Sequence, residues 1–157
     1  MKTLVIYDSV FGNTQKLAEA MAGMPDTQAV KVADLKPEAL AGISLLIMGS
    51  PTRGFKPTPA LVEWLKNLPD NALNGVMAAA FDSRISEDKV KSKALRFMMK
   101  KFGYAGSDIE KGLKKKGAAV IAPAEGFFVD ESEGPLSEGE EARAVAWAQA
   151  LREKVQV

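Results

Sequence analysis

The stretch Leu4-Val5-Ile6-Tyr7-Asp8-Ser9-Val10-Phe11-Gly12-Asn13-Thr14-Gln15-Lys16-Leu17-Ala18 changes character twice. Residues 4–7 are apolar without alternation, the pattern of a strand covered on both faces. Asp8-Ser9 ends the run. From Thr14 to Ala22 the spacing is helical, with Leu17 and Met21 stacked at i, i+4 beside Ala18 and Ala22. A doubly covered strand, a polar turn with a glycine and an amphipathic helix form the first half of a right-handed crossover.

The same unit repeats outward from there. Residues 28–32 read as a second strand and residues 36–41 as one or two helical turns. Residues 43–48 are the most apolar strand, ended by Gly49-Ser50-Pro51, and Pro59 opens a helix to Leu68 with Leu61, Leu65 and Leu68 on one face. Residues 76–81 make a fourth strand. A fifth starts at 118–122, bends at Pro123 and resumes through Phe127-Phe128-Val129, and residues 140–155 form a closing helix. Strands alternating with helices predict an α/β fold, a five-stranded parallel sheet doubly wound into a three-layer sandwich, with residues 1–157 as one domain.

Residues 83–117 are too long for a single crossover helix. They divide into a helix over 89–101, a turn at Gly103-Tyr104-Ala105-Gly106, and a second helix opening at Ser107, where Ser107-Asp108-Ile109-Glu110 has capping-box spacing. Residues 84–116 carry eleven basic and four acidic side chains, whereas residues 130–141 carry six acids and no base.

Composition removes whole classes of function. The 157 residues include no cysteine and no histidine, so a disulfide frame, the usual zinc sites, a thiol nucleophile and a Ser-His-Asp triad are all excluded. Redox chemistry would have to come from a bound cofactor. The net charge of +1 favours neither nucleic acid nor a strongly acidic role. No stretch is apolar enough to be a membrane helix or signal peptide, so the expected location is the cytoplasm.

Chemistry concentrates at strand ends. Between the first strand and first helix, Ser9 and Thr14 offer hydroxyls, Asn13 an amide, Gly12 close backbone approach, and the helix N-terminus about half a positive charge. None of the six residues 9–14 is charged, which suits a phosphate monoester held by neutral donors. The plainer reading is a turn whose Ser or Thr caps the helix. Neither G-x-x-x-x-G-K-[ST] nor G-x-G-x-x-G is present. In an open parallel sheet, ligands sit at the carboxyl ends of strands where strand order reverses. That rule brings residues 9–14 together with residues 50–58 and with Asp82-Ser83-Arg84-Ile85.

On these residues the sequence resembles the short-chain flavodoxins over nearly its whole length. Ser9-Val10-Phe11-Gly12-Asn13-Thr14 is similar to their T/S-x-T-G-N-T phosphate loop, Gly49-Ser50-Pro51-Thr52-Arg53-Gly54 to the first flavin-flanking loop, and Phe81-Asp82-Ser83 to the start of the second. The resemblance implies strand order 2-1-3-4-5 and FMN as cofactor. Ser9, Val10, Phe11, Gly12, Asn13 and Thr14 would hold its phosphate. Pro51, Thr52, Arg53, Gly54 and Phe55 would line one side of its ring, with Asp82, Ser83, Arg84 and Ile85 on the other. Gly54 stands where the family's flavin-side peptide flips on one-electron reduction.

It further implies a monomeric electron carrier between redox proteins, with no substrate chemistry of its own. The competing reading is an enzyme on the same fold, an NAD(P)H:quinone reductase or a quinone-linked protoporphyrinogen oxidase. Arg53 replaces the family's usual Trp, and no Tyr follows Asp82, so Phe55 or the Arg53 guanidinium would have to cover the ring. Two arginines near the ring would make its second reduction step less negative than is usual in the family. The simplest reading of the helix over 89–101 is a core-covering element with snorkelling lysines. A partner-docking surface, a flap over the flavin rim and a membrane contact are the alternatives.

Overall fold

A computed structural model describes residues 1–156. In chain order they form β1 (Thr3–Tyr7), α1 (Asn13–Met21), β2 (Thr27–Lys31), β3 (Leu45–Pro51), α2 (Pro59–Asn67), β4 (Met77–Ile85), α3 (Lys93–Phe102), α4 (Ala105–Lys115), β5 (Ala119–Val120), β6 (Glu125–Val129) and α5 (Glu140–Gln156). All strand pairings are parallel, in the order β2-β1-β3-β4-β5, with β6 also on β4. The fifth strand position is therefore shared: β5 pairs with the start of β4, and β6 pairs with its end after the chain breaks at Pro123. Proline lacks the N–H needed to continue the ladder.

The unalternating apolar runs follow from the layers. Val5 and Tyr7 of β1 point into a core with Leu17, Met21, Ala144, Ala148 and Leu151 of α1 and α5. Leu4 and Ile6 point the opposite way, toward Leu61, Leu65, Ile109 and Leu113 of α2 and α4. Strand side chains alternate between faces, so a sheet covered on both sides needs an apolar residue at every position. Phe81, Phe127 and Trp147 meet edge-to-face, with centroids 5.8–6.1 Å apart. Gly49 makes room for this cluster: a Cβ there would lie 2.1 Å from the Phe81 ring.

Two expectations need correction. The helix over 89–101 starts later, at Lys93 behind a Ser92 cap (Leu95 N–H to Ser92 Oγ, 3.2 Å), and it covers no core. Only Met99 is buried on it, whereas Phe97 is 65% and Phe102 50% exposed. The helix after it opens at Ala105 rather than Ser107. Its first N–H groups are capped from the sheet, Ala105 N–H donating to Thr52 Oγ1 (3.1 Å) and Gly106 N–H to Asp82 Oδ2 (2.9 Å). Ser107 Oγ donates to the Tyr104 carbonyl, and the Glu110 carboxylate accepts from Ala124 N–H and Lys114, so the local capping box does not form. Tertiary partners outbid the local ones.

Glu140 opens α5 and is nearly buried. Its carboxylate accepts from Phe128 N–H (2.8 Å) and from Arg143 Nη2 (2.7 Å). The Arg143 hydrogen bond holds the Glu140 carboxyl below the usual carboxylate range, against the opposing effect of burial. A depressed folded-state pKa adds stability above the unfolded-state value, and that stability is lost as pH falls through the folded-state value. Glu140→Gln should therefore lower unfolding free energy at pH 7 by about 1.5–2 kcal/mol, with the difference closing as pH falls below about 4. Urea titrations across that range check it.

Candidate cofactor site

The carboxyl ends of β1, β3 and β4 bring three segments to one edge of the sheet, at the β1/β3 junction where strand order reverses. They enclose a cavity of ≈ 290 Å³. The first contributes Ser9, Val10, Phe11, Asn13 and Thr14; the second Pro51, Thr52, Arg53 and Gly54; the third Ser83, Arg84 and Ile85, which are the last residues of β4, still paired with β6, where the sequence predicts a loop. Gly12, Phe55 and Asp82 lie behind or beside this lining, and the loop after β6 adds Val129, Ser132 and Glu133.

In the first loop Gly12 takes φ 92, a left-handed value costly for any residue with a Cβ, and α1 starts at the next residue. Ser9 Oγ accepts from Gly12 N–H (3.1 Å) and Gln15 N–H (3.4 Å). Its own O–H stays available to donate. The backbone N–H groups of Val10, Phe11, Asn13 and Thr14 find no acceptor within the described chain. Thr14 Oγ1 lies 3.0 Å from Ser83 Oγ, tying the first loop to the end of β4. Asn13 Nδ2 donates to the Glu133 carbonyl (3.1 Å), which anchors the loop after β6. Gly134 permits that approach, because a Cβ there would stand 2.6 Å from Asn13 Oδ1.

The second loop is a two-residue hairpin. Arg53 N–H donates to Lys56 O (2.8 Å), Lys56 N–H returns to Arg53 O (3.0 Å), and Gly54 and Phe55 take φ 53 and 69. Positive φ at both central residues marks a type I′ turn, where Phe is strained by about 1 kcal/mol or more. The Phe55 ring packs on Phe102 of α3 at 5.6 Å, away from the cavity. The aromatic ring in the cavity wall is instead Phe11, with the Arg53 guanidinium 5.2 Å over its centroid.

Asp82, paired between β3 and β6 near the end of β4, is fully buried. Arg84 grips it with two bonds, Nε to Oδ1 at 2.7 Å and Nη2 to Oδ2 at 2.6 Å. The guanidinium also stacks 3.6 Å over the Tyr104 ring, whose hydroxyl donates to Glu87 (3.1 Å). Gly126 on the neighbouring strand makes room for it, since a Cβ there would sit 2.2 Å from Arg84 Nε. Burial pushes the Asp82 carboxyl up, against the lowering by Arg84, Gly106 N–H and Thr52. Burial, then the Glu87 contact, pushes Tyr104 up. Its two-bond ion pair with Asp82 makes Arg84 a neutralised cation in the wall.

The donor set suits a phosphate monoester. Four unpartnered amides and a free hydroxyl surround a helix N-terminus, and an apolar slot between Pro51, Ile85 and Val129 opens beside them. Val129, Ser132 and Glu133 are missing from the sequence reading. A strand that ends beside β4 must deliver its loop to the same edge, and that was the signal available.

No protein-family model matches the sequence, and no curated protein matches it. Among solved structures, a flavodoxin from the domain Archaea superposes with a TM-score of 0.77 at 21% identity, each chain covered completely. Flavodoxin 1 from Bacillus cereus follows with 0.73 at 19%, over 98% of each chain. A WrbA-like flavodoxin protein from Agrobacterium tumefaciens gives 0.71 at 15%, over 99% of this chain and 97% of that one. Rubredoxin oxygen:oxidoreductase from Desulfovibrio gigas gives 0.71 at 16%, over 99% of this chain but 36% of that one. The chain therefore has the flavodoxin-like fold. Carriers and oxidoreductases share it, and at these identities the likeness fixes architecture alone.

Proposed function

We propose that this chain binds FMN at the junction of β1, β3 and β4 and carries electrons one at a time between redox proteins of the cytoplasm, as a monomer and without substrate chemistry of its own. One observation carries the reading. The unpartnered N–H groups of Val10, Phe11, Asn13 and Thr14 lie at the α1 N-terminus, in residues that line a cavity completed by the ends of β3, β4 and β6. The first N–H groups of a helix have no partner within it, and an anion supplies what they lack.

FMN, once bound, supplies the one-electron chemistry that a chain without cysteine lacks. The residues do the rest. Ser9 and the loop amides bind the phosphate, Thr14 and Ser83 hold that loop against the end of β4, and Pro51, Thr52, Arg53, Gly54 and Ile85 flank the slot. Arg53 and Phe11 form the nearest stacking surface. The Asp82 carboxylate offsets the Arg84 charge, so Arg84 adds little positive potential to the cavity, and Arg53 is the wall's one arginine without an ion-pair partner among the described residues. The shift toward easier second reduction expected from two arginines accordingly shrinks to the effect of one.

The test is to titrate FMN into the purified flavin-free protein by fluorescence, then reduce the complex anaerobically with dithionite. One FMN per chain and two resolved one-electron steps are expected. Absence of binding, one concerted two-electron step, or steady NAD(P)H oxidation with a quinone and no added reductase would each overturn the reading.

Glu133 lines the same cavity and would face a phosphate dianion across solvent. Glu133→Gln should tighten FMN binding by about 2- to 5-fold at low salt, roughly 0.5–1 kcal/mol of relieved repulsion, with the gain fading at high salt. Fluorescence titration at two ionic strengths reads it directly. Binding that weakens instead would show that Glu133 holds the ligand through its carboxylate.

A further inference from the structure

α3 stands out among the helices because most of its apolar face is uncovered. Leu95, Phe97, Met98 and Phe102 are all exposed and Met99 alone is buried. Leaving four large apolar side chains in water has no folding benefit, and contiguous patches of this kind mark interaction surfaces. The patch reaches the cavity rim, because Phe102 packs on Phe55, the neighbour of Gly54 in the cavity wall. Its frame is basic. Lys91, Lys93, Arg96, Lys100 and Lys101 surround it, none is in an ion pair among the described residues, and residues 90–106 contain no acid.

We infer that α3, with the Gly54-Phe55 hairpin, is the docking face for a redox partner that presents an acidic rim around an apolar centre. This rests on the electron-carrier reading and specifies the partner's chemistry. Charge complementarity chooses the occupant. Unpaired lysines around an aromatic centre attract a carboxylate-rimmed surface and steer its approach, while the apolar centre supplies the short-range adhesion. A flat anionic membrane fits less well, because the cavity mouth carries both signs, Glu133 lining it together with Arg53. A partner protein can avoid or complement that second sign; a lipid sheet meets both. A second copy pressed onto α3 would close the mouth that a carrier must keep open.

The test is an amide chemical-shift titration of the isotope-labelled chain with a plant-type ferredoxin as acidic probe and cytochrome c as basic control. Shifts are expected at residues 93–102 and 53–55 with the ferredoxin, weakening at least about tenfold between low and physiological-plus salt. Lys93→Glu/Lys100→Glu, both at exposed positions, should weaken that binding at least about fivefold, and Phe97→Ser should weaken it without changing its salt dependence. The inference is overturned by ferredoxin shifts that avoid α3, by a charge-reversed variant that binds equally well, or by tighter binding of cytochrome c at α3. Phosphatidylserine vesicles that retain the chain through the same lysines, or sedimentation showing a dimer lost on Phe97→Ser, would also overturn it. Because the amides report without flavin, a chain that failed to bind FMN but passed this titration would separate the docking face from the cofactor reading.

Discussion

Asp82→Ala should unfold at a much lower urea concentration than the parent, with a loss of about 3–5 kcal/mol, a large part of the usual margin for a domain. The side chain is fully buried and makes two bonds to Arg84 and one to Gly106 N–H. Removing it leaves a guanidinium with 19% side-chain exposure unpaired and Gly106 N–H in the first turn of α4 without its acceptor. A double variant, Asp82→Leu/Arg84→Met, separates the causes. Replacing a buried ion pair with apolar groups is often close to neutral, whereas breaking it is not. The double variant should regain most of the loss, followed by the fluorescence of Trp64 and Trp147. If it is as unstable as the single variant, the cap on α4 rather than the ion pair carries the energy.

Gly12→Glu should leave the fold intact and nearly abolish FMN binding. A Cβ at Gly12 meets no atom within 4 Å, so bulk is tolerated. The left-handed φ of 92 costs a residue with a side chain about 1–2 kcal/mol. A carboxylate about 5 Å from a phosphate dianion adds roughly 3 kcal/mol or more at an effective dielectric near 20. The strain is the same with and without ligand and lowers stability only, so the repulsion alone predicts a loss of about a hundredfold or more in affinity. Calorimetry with FMN, beside a circular dichroism spectrum matching the parent, is the measurement. Undiminished affinity would place the phosphate elsewhere and end the proposal.

The sheet was legible because its physics is local. Runs such as residues 4–7 and 43–48 are apolar at every position only when both faces are covered, and the turn residues after them mark where each strand must stop. The cavity lining was largely legible for a related reason: strand ends at a reversal of order converge whatever the side chains are. What escaped the sequence depends on distant partners. The start of α4 is set by Asp82 and Thr52, which lie 24 and 53 residues upstream of the amides they cap. Ser107 looked like a cap because spacing cannot reveal that stronger acceptors wait in the sheet. The charge of Arg84 looked active because its partner, two positions before it, reads as solvent-facing until burial is known. Phe55 looked like a ring stacker, but the left-handed turn sends it to Phe102 instead. Helix α3 misled through its periodicity, which records an apolar stripe and says nothing about what covers it.

The four segments that wall the cavity are stitched to one another by the chain's own bonds: Thr14 to Ser83, Asn13 to the Glu133 carbonyl, Thr52 N–H to the Ser83 carbonyl. None of these stitches needs a guest. A pocket assembled before its occupant arrives loses little freedom on filling, so association should run with a small entropic penalty and scarcely any rearrangement of the frame. Such a protein can be emptied and refilled without passing through a loosened form.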